Sequence, residues 1–277
     1  MSDNDTDHLL NLEFMKKLIT LIFALCYSAH GFCLELKDLE PNTIFSQLYH
    51  SQFNPQIESE QPITGVMVDE REFLATYASM RRYINANKEL RFLVNIERQA
   101  IAKNEEDKYE LTETSHASTA SDDLFIFKRE KNGHYVLVSK TQKPLEIGNH
   151  GESHLNITTV NNSIVFLNPN TVGFFNEIYD IHQGITEGGL VAIVLNEESP
   201  IVAKWVTQTA YDDTGYNESD SVVSSSKWKV LTKDPLVFGY YPIQITTKTL
   251  SKNKNPHFEI KKYVMNKDLK YIEENPR

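Results

Sequence analysis

The feature that most constrains this chain is a change of hydrophobic period. From Leu90 onward apolar residues recur at every second position, as in Leu90, Phe92, Val94 and Ile96, with mostly polar neighbours between them. A period of two sends alternate side chains to opposite faces of a strand, which suits a half-buried sheet. Turn signals then cut the pattern into short pieces. Asn132-Gly133 separates 124–129 from 135–140, and both residue types tolerate the positive φ of a two-residue hairpin. Asn161-Asn162 separates 155–160 from 163–167 in the same way, with Ile157 facing Phe166 and Thr159 facing Ile164. A returning strand is expected from Tyr109. Further strands are expected at 190–195, 201–209 and 227–231, and a last hairpin pairs 240–250 with 257–264.

Helical spacing is confined to three places. Asn42 is a capping residue ahead of Ile44, Phe45, Leu48 and Tyr49. Asp69-Glu70-Arg71-Glu72 has the form of a capping box before Phe73, Leu74, Tyr77, Met80 and Ile84. Asn170 precedes an expected helix over 171–180 with Phe174, Phe175, Ile178 and Tyr179 apolar. Short strands joined by turns, without alternating helices, predict an α+β chain. It is mainly antiparallel β with N-terminal helices, built as a β-hairpin-rich sheet or sandwich. The expected division is an extension and leader over 1–31, a helical region over 32–88, a β-rich domain over 89–265 and a charged tail over 266–277.

The leader reading rests on Met15-Lys16-Lys17, the apolar run from Leu18 to Ala29, and Ala29-His30-Gly31. That order of charge, apolar stretch and small residues is a secretory leader. The acidic residues of 1–14 do not fit it, which points to Met15 as the true start. The run is shorter than the roughly 20 apolar residues of a membrane span, so no stable span is expected after leader removal. The expected compartment is the bacterial periplasm or the exterior. Two cysteines exclude a disulfide scaffold. A net charge of −10 argues against nucleic acid as partner.

Candidate chemistry is sparse. His150, Glu152, His154 and His182, with Asp180 nearby, form a set of metal-ligand types for zinc. Two histidines four residues apart share a metal on a helix, where they lie within about 6 Å. On a strand they are roughly 13 Å apart, so only a tight turn would join them. Ser153 with His154 or His182 is the candidate nucleophile and base. The surrounding Gly151-Glu152-Ser153-His154-Leu155 lacks the second glycine of a nucleophile elbow. Tyr211, Asp212, Asp213, Tyr216, Glu218 and Asp220 form an acidic, aromatic loop. Its oxygens suit calcium or the basic surface of a protein partner. Tyr211 and Tyr216 are expected to be exposed, whereas Trp205, Trp228, Phe238, Tyr240 and Tyr241 are expected in the core.

The leading expectation is an exported protein that acts by binding a partner without a cofactor. Its specific form is an inhibitor or immunity protein that neutralises a toxin or hydrolase. The alternative is a periplasmic hydrolase, metal-assisted, using the histidine cluster. A third is an envelope-assembly protein with no small-molecule site.

Overall fold

The computed structural model describes residues 34–50, 65–68, 73–106, 109–112, 120–148, 151–158, 160–216, 221–252 and 254–274. The leader, Cys33, the connector at 51–62, the capping box at 69–72, His150, Glu218 and Asp220 lie outside them. Residues Leu36–Arg277 form one compact unit.

Two sheets, mostly antiparallel, carry this unit. The first contains β1 (Glu35–Leu36), β2 (Val66–Val68), β3 (Phe73–Ile84), β4 (Leu90–Lys103), β5 (Tyr109–Leu111), β6 (Ser121–Arg129) and β7 (Tyr135–Lys140). Its order is β1-β7-β6-β4-β3-β2, with β5 paired to β4. The second contains β8 (Val165–Asn168), β9 (Thr171–His182), β10 (Ile185–Leu195), β11 (Val202–Asp212), β12 (Val222–Val230), β13 (Ile243–Ser251), β14 (His257–Met265) and β15 (Tyr271–Glu273). These lie side by side in chain order. Among the described residues the helices are α1 (Pro41–Leu48) and the single turn α2 (Val160–Ser163).

Alternation decides which residues meet. Across β4 and β6, Leu93 pairs with Ile126 and Asn95 with Leu124, so Leu93, Leu124 and Ile126 share one face. That face packs on Val172, Phe174, Val191, Ile193 and Leu195 of the second sheet, forming the main core. The other face of the first sheet carries Phe92, Val94, Phe125 and Phe127. Tyr49, just beyond α1, sets its ring edge-on to Phe125 at 6.2 Å and donates to Asp123 Oδ2 at 2.6 Å. The helix begins at Pro41, whose fixed φ and missing N–H suit a first turn. Its cap position is therefore Glu40 and not Asn42.

The second sheet curls. Every residue from Leu190 to Leu195 of β10 is buried. Val191, Ile193 and Leu195 serve the main core, while Leu190 and Ala192 meet Val206, Ile243, Ile245, Tyr263 and Tyr271 on the opposite side. β11 pairs with β12 only through 210–212, and the divergence beyond lets β12–β15 fold back around this second core. At one end the sheets are tied by charge. Arg91 donates to Glu89 and Glu197 at 2.5 and 2.8 Å, and Asn85 Nδ2 donates to Glu197 Oε1 at 2.9 Å.

Three local expectations are corrected. The residues 73–84 are a strand, because a bulge between Tyr77 and Ser79 shifts the alternation by one. Phe73, Ala75 and Tyr77 then share a face with Met80, and that three-residue step imitates helical spacing. The residues 171–180 are also strand. Phe174 faces the main core and Phe175 the second one, so two buried faces produce adjacent apolar pairs. The expected 155–167 hairpin is replaced by an irregular segment and α2, although Ile157 and Val160 are buried. There Asn176 of β9 bonds the backbone of His154 and Asn156 in place of a ladder. The β10–β11 pair and the β13–β14 hairpin form as expected. The β6–β7 hairpin also forms, but through a three-residue loop at 131–133 closed by the Glu130 N–H on the His134 carbonyl, in which Gly133 alone, at φ +90°, has positive φ.

Phe174 joins the inner face of the second sheet to the first. Phe174→Ala is expected to lower unfolding free energy by about 3–5 kcal/mol, read as a reduced urea midpoint with an unchanged slope.

Candidate functional site

The inner face of β9–β11 runs past the main core and becomes one wall of a groove. Along it the apolar residues give way to Ile178 and Asp180 on β9, Glu187 and Gly189 on β10, and Trp205 and Gln208 on β11. The segment Glu146–Gly148 and His154 complete a groove of about 350 Å³. Gly189 is the reason Trp205 can lie there. A Cβ at 189 would come within 2.0 Å of the Trp205 ring, so the indole rests directly on the strand backbone. Trp205 nevertheless keeps 52% of its surface exposed.

The charge of the groove is one-sided. Glu146, Asp180 and Glu187 line it, and no Lys or Arg does among the described residues. Asp180 and Glu187 are direct cross-strand partners, a like-charge arrangement that costs free energy in an empty sheet. Glu187 accepts from Gln208 Nε2 at 3.3 Å, and His182 Nδ1 lies 3.8 Å from Asp180 Oδ2.

The acidic loop adjoins this groove. Tyr211 pairs with Glu187 and Asp212 with Thr186 across β10–β11. The β9–β10 turn and the β11–β12 turn meet at Gly184 and Gly215, where a Cβ on Gly215 would stand 2.7 Å from the Gly184 carbonyl oxygen. Tyr216 is 70% exposed and Tyr211 is half-buried. Asp212 accepts the Thr214 N–H at 2.9 Å, which holds its carboxyl below the usual range. Asp213 is buried and accepts the Val222 N–H at 2.6 Å, so it builds the loop and does not face outward.

The proposed catalytic residues are placed differently from one another. Ser153 Oγ donates to Asp122 Oδ2 at 2.6 Å and accepts the Leu155 N–H at 3.0 Å. Its nearest described chemistry is therefore a carboxyl and not an imidazole. His154 Nδ1 accepts the Tyr179 N–H at 3.4 Å. His182 lies three residues further along β9, roughly 10 Å at strand rise, beside Asp180. Glu152 is exposed, and a Cβ on Gly148 would stand 2.2 Å from its carbonyl oxygen. Among the described residues no three or more His, Cys, Asp or Glu side chains converge as a metal site.

Two features escaped the sequence reading. Trp205 was expected in the core and is exposed; Gly188-Gly189 inside a strand was the available signal of close approach. Asp122 carried no signal at all. It is 0% exposed, faces Glu97 directly across β4–β6, and its Oδ1 has no hydrogen-bond partner among the described residues. Burial, with Glu97 and Asp123 nearby, pushes its carboxyl up to about 7 against the Ser153 and Asn95 hydrogen bonds. The folded chain therefore holds a proton that the unfolded chain releases near pH 4.

That linkage fixes a direction. Between about pH 4 and pH 7 the folded state binds more protons, so stability falls as pH rises through this window and levels off above it. The expected fall is on the order of 4 kcal/mol at most. Urea denaturation at pH 5, 6 and 8 should show it, and Asp122→Asn should remove most of it. Comparison with known proteins finds no matching family model, no matching curated protein and no matching solved structure.

Proposed function

We propose that this chain is an exported protein that works by binding, and that its acidic, aromatic end receives a basic surface of a protein partner. An inhibitor or immunity protein that occupies a toxin or hydrolase is the specific form of this reading. The observation that carries it is the groove. Three carboxylates and an exposed indole stand together with no lining Lys or Arg among the described residues. A cation entering it meets the Asp180 and Glu187 carboxylates and gains a cation–π contact with Trp205. The neighbouring Tyr211, Asp212 and Tyr216 extend the same character toward the hairpin tips. Acidic fields of this kind speed encounter and select partners, while a central aromatic supplies affinity.

Export enters this reading through the dilysine and apolar run at 15–29. Among the described residues no helix is long and apolar enough to cross a membrane. The compartment is testable by intact mass: a secreted or periplasmic product is expected to lack the leader through about Gly31. A full-length cytosolic product would remove export from the proposal.

Binding is testable with a photo-crosslinking amino acid at position 216 and identification of what it captures. One stoichiometric partner with a basic contact surface is expected. Trp205→Ala should weaken its binding by at least 30-fold, as loss of an interface anchor of about 2 kcal/mol does. Glu187→Lys should slow association and reduce its sensitivity to salt. A partner that binds both variants as tightly as the native chain would locate recognition elsewhere.

A further inference from the structure

The outer face of the curled sheet has a composition unlike the rest of this acidic chain. Strands β12, β13 and β14 pair in register, Ser225 with Lys248 and Lys248 with Phe258, then Lys227 with Thr246 and Thr246 with Ile260. The next row joins Lys229, Gln244 and Lys262. Residues directly opposite share a face, so Lys227, Lys229, Lys248, Lys262, Phe258 and Ile260 all point the same way. No carboxylate occupies these three rows, in a chain with 38 acidic residues.

The face is open. Phe258 and Ile260 are 61% and 66% exposed, although both cover only the outside of a sheet whose other side already packs the second core. Lys262 is answered by Asp234 and Glu274 at 3.1 and 3.2 Å. Lys227, Lys229 and Lys248 are exposed, and none forms an ion pair among the described residues. Strand spacing of roughly 5 Å and a two-residue rise of about 7 Å put the three cations and two apolar side chains within about 20 Å. None of these residues lines the groove at Trp205.

We infer that the β12–β14 face docks on the surface of an anionic lipid bilayer. Charge complementarity selects the occupant, because ammonium groups without protein partners find phosphate headgroups and gain from the negative surface potential. Phe258 and Ile260 stand among them and enter the boundary between headgroups and acyl chains, while the lysine stems reach back to the phosphates. Two exposed apolar side chains among lysines ask no defined shape of their partner, which a fluid interface meets. A single-stranded nucleic acid would meet the same charge, but it stacks bases on several aromatic rings and this face offers Phe258 alone. The groove at Trp205 plays no part in this inference.

The test uses the full chain and vesicles of phosphatidylcholine with or without 30% phosphatidylglycerol, a composition chosen on the order of that in anionic membranes. Sedimentation at low salt is expected to show at least roughly 10-fold stronger binding to the anionic vesicles, lost at high salt. The triple variant Lys227→Glu, Lys229→Glu, Lys248→Glu should lose that preference, and Phe258→Ser with Ile260→Ser should weaken binding at constant charge. These positions are exposed, and circular dichroism checks that each variant keeps its sheet content. Because an apolar leader binds vesicles without using this face, Phe258→Trp supplies the local readout: its emission should be quenched by brominated acyl chains. Equal binding to neutral vesicles, no effect of the triple variant, or no quenching at position 258 would overturn the inference. So would tighter binding of the face to a single-stranded oligonucleotide than to the vesicles.

Discussion

Strand β10 is the constraint on which the architecture depends. Six consecutive buried residues, Leu190 to Leu195, leave neither of its faces to solvent. A strand in that position needs a packed layer on each side. The first sheet supplies one through Leu93, Leu124 and Ile126. The second sheet itself supplies the other by curling, which brings Ile243, Ile245, Tyr263 and Tyr271 over Leu190 and Ala192. The divergence of β11 from β12 beyond 210–212 follows from this demand. A flat sheet would leave half of β10 wet.

The apolar side chains of β10 stop at Gly188-Gly189, but both glycines are still buried, under Tyr179 and Trp205, and burial ends at Glu187. The inner face then passes from core to groove over a single strand register. Polar groups manage the transition. Asn176 holds the backbone of His154 and Asn156, and Asp122 holds Ser153, so the groove wall at 153–156 is hung from both sheets by side-chain hydrogen bonds. This is an expensive solution, since Asp122 Oδ1 and Asn95 Oδ1 are left without hydrogen-bond partners among the described residues. Loss of water around the buried carboxylate, with Glu97 and Asp123 nearby, is what raises the Asp122 pKa, and a proton there removes the charge that burial penalises.

The legibility of the chain divides along the same line. Elements with one wet face, such as the β13–β14 pair, announce themselves by alternation, and β6, buried on both faces, is given away by the Asn132-Gly133 turn that follows it. Alternation does not reveal elements buried on both faces: Phe174 and Phe175 of β9 read as a helix because two cores draw on adjacent residues. A bulge has the same effect at Tyr77–Ser79. The acidic loop was visible as composition, and the structure adds that Asp213 serves its backbone. The groove was not visible, because Glu146, Asp180, Glu187 and Trp205 are far apart in sequence and meet only through strand register and the 146–148 crossing.

At Gly184 and Gly215 two hairpin ends touch main chain to main chain, with no room for a side chain at either position. The placement of the tips is thereby independent of whatever decorates them. Tyr211 and Tyr216 can be exchanged for other residues while their mounting stays where it is. A mounting of this kind lets one frame be retargeted by point substitution, so a set of such chains could diverge in what each captures without diverging in shape.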